Sequence, residues 1–261
     1  MRMGGMRSLA LCYHDIVHGD PGASGFTTPG ASTYKVPLER FREHLRALQD
    51  SRATTPFRLV LTFDDGGSGA MWAADALENA GQKGLFFITT GLLGTDGFLE
   101  ARQVGELHRR GHGIGSHGAT HRGRMNRMPE EELIREWTDS VRELSELTSA
   151  AVRTASVPSG FYARRVARAA AAAGIAELFT QQPTTRVLRR FGCDVLGRFT
   201  VRSWTPASRV AALARGDLRP RFEDAVSWRL RQITKLLTRG LYGDLRRVFL
   251  ARRSWEASVR P

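Results

Sequence analysis

The chain has 261 residues, a formal net charge of +13, 41% hydrophobic residues and two cysteines. That length admits one α/β barrel or two small domains, and the apolar share is ordinary for a folded core. No stretch approaches the length of a membrane span, which excludes an integral helical membrane protein. Cys12 and Cys193 lack the spacing of a metal pair. They read as reduced thiols, with a lone long-range disulfide as the unsupported alternative. The opening MRMGGMRSLALCYHDI has arginines but only a five- or six-residue apolar run, too short for a signal-peptide core. The expected location is cytoplasmic, with room for peripheral contact at the inner face of the membrane. The charge is uneven: residues 1–150 carry 17 Lys+Arg against 19 Asp+Glu, and residues 151–261 carry 22 against 7. A basic second half suggests an anionic partner, whether phosphate groups, lipid or nucleic acid.

In chain order, Leu9–Tyr13 reads as a strand, followed by a Gly/Pro/Ser/Thr-rich loop from His18 to Thr33. Pro37 opens a helix with Leu38, Phe41, Leu45 and Leu48 on one face. Arg58–Phe63 is a near-continuous apolar strand of the kind buried on both faces. A helix around Ala70–Ala80, strand Gly84–Thr89, helix Ala101–Arg110 and short strand Gly113–Ser116 come next. Pro129 and the acidic run Glu130–Glu132 suit a helix amino terminus, and Leu133, Trp137, Val141, Leu144 and Leu147 form its apolar stripe. Strand Val152–Val157, an alanine-rich helix to Ala173, and strands Glu177–Thr180 and Leu196–Val201 complete the pattern. Strands alternating with helices imply a parallel sheet with helices outside, open or closed into a barrel.

Four polar clusters fall at or just past the carboxyl end of a strand: Tyr13-His14-Asp15, Asp64-Asp65, His117, and Ser156-Val157-Pro158. In α/β barrels that end carries the chemistry. Asp64-Asp65-Gly66 on its own is a common turn composition, and two histidines four apart are a weak signal. Together, one carboxylate with His117 and His121 makes a donor set suited to zinc or a related divalent ion. The second carboxylate is then free to take a proton from a water at the metal, the arrangement needed for metal-assisted hydrolysis.

These residues resemble the NodB-type polysaccharide deacetylases, metal-dependent carbohydrate N-deacetylases, over roughly residues 8–205. The first motif, TFDDG, is intact at residues 62–66. The second reads HGATH, with Gly118 where serine or threonine is usual. The third, Arg-x-Pro-x-Gly, reads Ser156-Val157-Pro158-Ser159-Gly160, with serine for arginine. With about seven strands in the pattern, the resemblance implies a distorted (β/α) barrel of parallel strands over residues 1–218; the composition of 219–261 reads separately as a basic helical tail. It also implies Asp64 as general base, and Asp65, His117 and His121 as ligands of a divalent metal, Zn2+ first. The loop Pro158-Ser159-Gly160 would aim a backbone N–H at the oxyanion.

The family's late histidine, which protonates the leaving amine, is missing, since no histidine follows His121. Either the site is crippled or the acid comes from elsewhere. Some members look like circular permutants with this histidine in an N-terminal Tyr-His-Asp motif, and Tyr13-His14-Asp15 resembles it. His14 is then the expected acid, oriented by Asp15; the alternative is a buried histidine bonded to Asp15. The arginine that usually pairs with the base has no evident replacement, Arg153 being near but not placeable. The other four histidines, His18, His44, His108 and His112, read as surface or loop residues.

Residues 219–261 carry eleven Lys+Arg against four Asp+Glu, with Val226, Leu230, Ile233, Leu237, Leu241 and Leu245 at helical spacing interrupted by Gly240 and Gly243. Trp228, Phe249 and Trp255 add aromatics. This pattern fits an interfacial helix pair on an anionic membrane or, equally, a helical hairpin packed on the barrel. Nucleic-acid binding is disfavoured for want of a known module. The expected activity is removal of an N-acetyl or other N-acyl group from an amino sugar. A lipid- or nucleotide-linked glycan intermediate suits the location and the basic tail. The rivals are a non-catalytic glycan- or metal-binding barrel and a peripheral membrane protein whose tail is its function.

Overall fold

The structure is a computed structural model that describes residues 7–51 and 54–237. The elements are β1 (Ser8–Tyr13), β2 (Asp15–Val17), α1 (Pro29–Ser32), β3 (Lys35–Pro37), α2 (Leu38–Ser51), β4 (Arg58–Phe63), α3 (Ala70–Asn79), β5 (Leu85–Ile88), α4 (Ala101–Arg109), β6 (Gly113–Ser116), α5 (Glu130–Thr148), β7 (Thr154–Ser156), α6 (Arg164–Ala172), β8 (Glu177–Phe179), β9 (Val187–Arg190), β10 (Cys193–Leu196), β11 (Arg198–Thr200), α7 (Ala207–Arg215) and α8 (Leu218–Leu237). Nine strands form one sheet in the order β11-β1-β4-β5-β6-β7-β8-β10-β9, parallel throughout except for the β9–β10 pair. β2 and β3 form a separate parallel pair.

The expected strand Leu196–Val201 is two strands meeting at a seam. β10 pairs with β8 near one end of the sheet, β11 pairs with β1 at the other end, and Gly197 alone separates them. One extended segment thus ties both ends together, and the sheet must curl to allow it. Only glycine fits at the seam, since a Cβ there would lie 2.2 Å from the Gln182 carbonyl oxygen. β9 is an addition to the expected pattern. Its residues are largely exposed, so no apolar run marks it, and the turn Phe191-Gly192 has φ of 52° and 86°, the left-handed pair a two-residue hairpin needs.

Strand alternation sorts the side chains into an inner and an outer layer. Leu9, Leu11, Tyr13, Leu61, Phe63, Phe86 and Ile88 face the helices in the main core, with the α2 residues Leu38, Phe41, Leu45 and Leu48. The intervening residues face inward, where Ala10, Phe87, Phe179 and Leu196 fill the floor of the interior. One step further along the same strands, the inward positions are polar: Cys12 and His14, Thr62 and Asp64, His117, Ser156 and Arg198. The carboxyl end of the sheet is therefore a polar mouth over an apolar floor.

Two histidines read as surface residues belong to the core. His44 is fully buried on α2, with its ring nitrogens bonded to the Tyr13 hydroxyl (3.2 Å) and the Thr205 carbonyl (2.9 Å). His112 is 2% exposed and bonds Glu78 and the Gly84 N–H. Cys12 and Cys193 are free and buried. α7 was not expected, and α8 is one continuous helix over the first part of the expected basic tail. The remainder of the tail, including Leu241, Leu245, Phe249 and Trp255, lies outside the described residues. Among the described residues no helix is long and apolar enough to cross a membrane.

Candidate active site

The TFDDG segment leaves β4 and turns at once. Asp64 continues the strand, its N–H donating to the Tyr13 carbonyl (3.0 Å). Asp65 and Gly66 then take φ of 78° and 84°. The left-handed Asp65 swings its carboxylate toward β6, and Gly66 avoids the strain a side chain would bear there. Adjacent carboxylates thereby acquire different partners.

Asp65 meets both histidines: its Oδ1 is 3.3 Å from His117 Nε2 and 3.3 Å from His121 Nε2. The three ligand atoms lie within 4.8 Å of one another. The His117 Nδ1–H donates to the Ser156 carbonyl (3.0 Å), which fixes the ring with its Nε2 edge toward Asp65. Burial would raise the Asp65 carboxyl, but hydrogen bonds from His117 and His121 hold it well below the usual carboxylate range. Two imidazole nitrogens and a carboxylate on one point fit a divalent cation, zinc first by donor type.

The loop carrying the second motif explains its glycine. Gly118 has φ of 82°, and a Cβ there would sit 2.7 Å from Glu136 Oε1. Glu136, buried on α5, accepts from both the N–H (2.7 Å) and the hydroxyl of Thr120. It clamps the loop between the two histidines, in the space a serine or threonine side chain would need.

Asp64 faces Arg198 instead. Arg198 Nη1 is 2.6 Å from Asp64 Oδ1 and Nη2 is 2.8 Å from Oδ2, and both side chains are fully buried. Burial alone would raise the Asp64 carboxyl, but Arg198 and His117 outweigh it and bring it down to about 2. The Cys12 thiol, itself pushed up by burial, lies 3.5 Å from Asp64 Oδ2. Arg153, the arginine first considered for this role, is exposed. Arg198 was missed, although its strand was predicted.

His14 also faces Asp64, with a ring nitrogen within 4.8 Å of the carboxylate and of Cys12 Sγ. Its ring stacks on Tyr34 at 4.5 Å, and its Nδ1 is buried without a hydrogen-bond partner. Asp15 does not orient it. The Asp15 carboxylate accepts from the Ser24 hydroxyl (2.7 Å) and fills the space beneath Gly25 and Gly67, where a Cβ would approach within 2.0 Å. It pins the 18–33 loop, helped by Lys35, whose ammonium donates to the Pro21 and Ser24 carbonyls. Burial pulls the His14 pKa down despite the nearby Asp65 and Asp64 carboxylates. The pinned loop brings Phe26 to 4.9 Å from the His121 ring and 5.2 Å from Phe98, walling one side of the mouth. On the other side, Pro158-Ser159-Gly160 forms a 3-10 turn in which Ser159 and Gly160 have φ of 55° and 67°.

Residues 51–178 match the family model described as polysaccharide deacetylase. The chain is a member of the NodB-type polysaccharide deacetylase family. Such proteins are carbohydrate deacetylases, hydrolases of the N-acetyl group. No curated protein matches significantly. Among solved structures, the chain is similar to BC0361, a polysaccharide deacetylase from Bacillus cereus, at 17% identity and TM-score 0.68, over 80% of this chain and 69% of that one. It is similar to the Streptococcus pyogenes deacetylase PplD in complex with acetate, at 20% identity and TM-score 0.64, over 78% and 96% of the two chains. IcaB from Ammonifex degensii aligns at 21% identity and TM-score 0.64, over 81% and 98%. At these identities the likeness is one of fold. Both His14 and Arg198 of this family member lie outside the matched range.

Proposed function

We propose that this chain is a divalent-metal hydrolase that removes the N-acetyl group from an amino sugar in a lipid- or nucleotide-linked glycan. The observation that carries the reading is the convergence of Asp65, His117 and His121 beside a second carboxylate committed to a different partner. Asp65, His117 and His121 would hold the ion. When bound, it supplies Lewis-acid polarisation of the amide carbonyl and lowers the pKa of a water.

Asp64 accepts the proton of the attacking water as the new C–O bond forms, and a backbone N–H of the Pro158-Ser159-Gly160 turn helps hold the oxyanion. The C–N bond then breaks as the leaving nitrogen takes a proton from His14. Burial keeps the His14 ring neutral, so it must acquire that proton during the reaction, and the Asp64 carboxylate within 4.8 Å is the available source. A non-catalytic barrel is the weaker reading, because its main support was the absence of an arginine and an acid, and Arg198 and His14 stand in those places.

The finer substrate rests on the charge of the second half and on α8. Leu218, Phe222, Val226, Leu230 and Ile233 are 38–76% exposed along one face of that helix. Apolar residues in a segment rich in arginine suit the interface of an anionic membrane, at the inner face of the cytoplasmic membrane by the sequence reading. The first turns of α8 meet the barrel through Arg221, which lies over Phe57 and bonds Thr185 at the amino end of β1 and β4.

The test is acetate release from N-acetylglucosamine oligomers by zinc-loaded protein, with metal content measured in parallel. No release, or no bound metal, sinks the proposal. His14→Ala should bind metal and lose most activity on amides but less on activated esters, whose leaving groups need no proton; equal losses remove His14 as the acid. Sedimentation with anionic liposomes at low salt, lost on deleting residues 219–261, tests the membrane contact.

A further inference from the structure

Position 156 holds serine where the family's third motif has arginine, yet Asp64 does not lack a guanidinium. The Ser156 hydroxyl lies 3.3 Å from Asp64 Oδ2 and 2.7 Å from Arg198 Nη2, at the junction of the pair. β7 and β11 are not neighbours in the sheet, so the two side chains meet across the interior.

We propose that Arg198 is the positioning residue for Asp64, delivered from β11 in place of an arginine on β7. The degraded third motif is then a relocation and not a loss. The inference rests on the reading of Asp64 as the base.

Three observations carry it. All five N–H groups of the guanidinium can be accounted for: Nε to the Thr180 carbonyl (3.3 Å), Nη1 to Thr62 Oγ1 (3.1 Å) and Asp64 Oδ1, Nη2 to Asp64 Oδ2 and Ser156 Oγ. No other arginine among the described residues is buried, so none competes for the role. The fork is also supported from below, since its carbon sits 5.5 Å from the centre of the Phe87 ring on the apolar floor. A two-point grip fixes the plane of the carboxylate, which a lysine ammonium would not do. Serine at 156 follows from the same geometry, because an arginine there would occupy the space Arg198 fills.

The test is an exchange. Arg198→Met, Arg198→Ser, Arg198→Lys and the double variant Ser156→Arg/Arg198→Ser are prepared with zinc and assayed for acetate release, with melting temperature and zinc content followed alongside. Arg198→Met should keep its zinc and lose on the order of 10²-fold in kcat, with KM within about twofold of wild type. Lysine should recover part of the loss, since charge returns without the fork. The double variant should regain most of the kcat and melting temperature that Arg198→Ser loses. Wild-type kcat in Arg198→Met overturns the proposal, and so does a double variant no better than Arg198→Ser. Where the single variants are insoluble, recovery of soluble folded protein by the double variant is the same readout. If the wild type releases no acetate, the deacetylase reading fails by itself. The melting temperature of the double variant against Arg198→Ser then decides whether the arginine was exchanged.

Discussion

Asp64 and Asp65 are neighbours in the chain and belong to different parts of the molecule. Asp64 stays on the strand axis, fully buried, and is satisfied by a cation from β11, two strands away in the sheet. Asp65 leaves the strand through a left-handed turn and is met by two imidazoles from one loop. The inner carboxylate is held by an interaction spanning 134 residues of sequence, the outer one by a motif readable within five. The two carboxylates thus have separate partners, which leaves the proposed metal and base roles on different groups.

The comparison breaks most completely at the outer carboxylate. Asp65→Asn or His121→Ala should abolish stoichiometric zinc by elemental analysis and reduce acetate release to background. In wild type, zinc at about 100-fold above its Kd should add about 2.7 kcal/mol to unfolding stability, and that increment should vanish in both variants. Retained metal would move the site elsewhere.

At the inner carboxylate, Asp64→Asn should keep its zinc and lose about 10²–10⁴-fold in kcat. Stability falls as well, because the Arg198 guanidinium left buried without its counter-charge costs roughly 3–5 kcal/mol. Denaturant titration at pH 7 measures it, and an unchanged midpoint would mean the pair is not closed in solution.

Asp15 sharpens the contrast, being a buried carboxylate with neither an arginine nor a metal role. Burial raises it from 3.8 to about 6, only partly offset by Ser24 and Lys35. Its folded pKa lies above its unfolded value, so the native state binds the extra proton. Stability from this group is present in acid and lost as pH rises through about 6. Asp15→Asn should therefore gain on wild type between pH 4.5 and pH 7.5, by roughly 2 kcal/mol, in paired denaturation curves. A pH-independent difference would show that the carboxyl is not buried as described.

The smallest effect belongs to the second-motif glycine. Gly118→Ser places a side chain at φ of 82° against Glu136. The strain should cost about 1–2 kcal/mol and weaken zinc binding modestly, read by thermal melts with and without metal. A stabilised serine variant would refute the clamp.

The metal half of the site was legible because its signals are local: TFDDG at a strand end, and two histidines four apart. The outer fold was legible through alternation, and strand Arg58–Phe63 and helix Glu130–Thr148 fall where periodicity places them. Arg198 was hidden by abundance, one arginine among many in a basic half. Its signal was parity. On the predicted strand Leu196–Val201, Leu196, Arg198 and Thr200 share one face, and a charge facing a barrel interior requires a partner. His44 was hidden similarly, although it lies one position before Leu45 and three after Phe41 on the apolar face of α2. Asp15 was misread because its partner, Ser24, sits in a loop where no periodicity points.

The glycine seam also has a consequence for how the protein is made. The motif residues, from His14 to Gly160, have left the ribosome well before residue 198 has. Until Gly197 carries the chain across to β1, Asp64 faces an interior with no positive charge to meet it. A nascent or truncated chain ending before β11 would hold all three motifs and still have an unfinished site. The proposed site is then completed by β11, the last strand among the described residues.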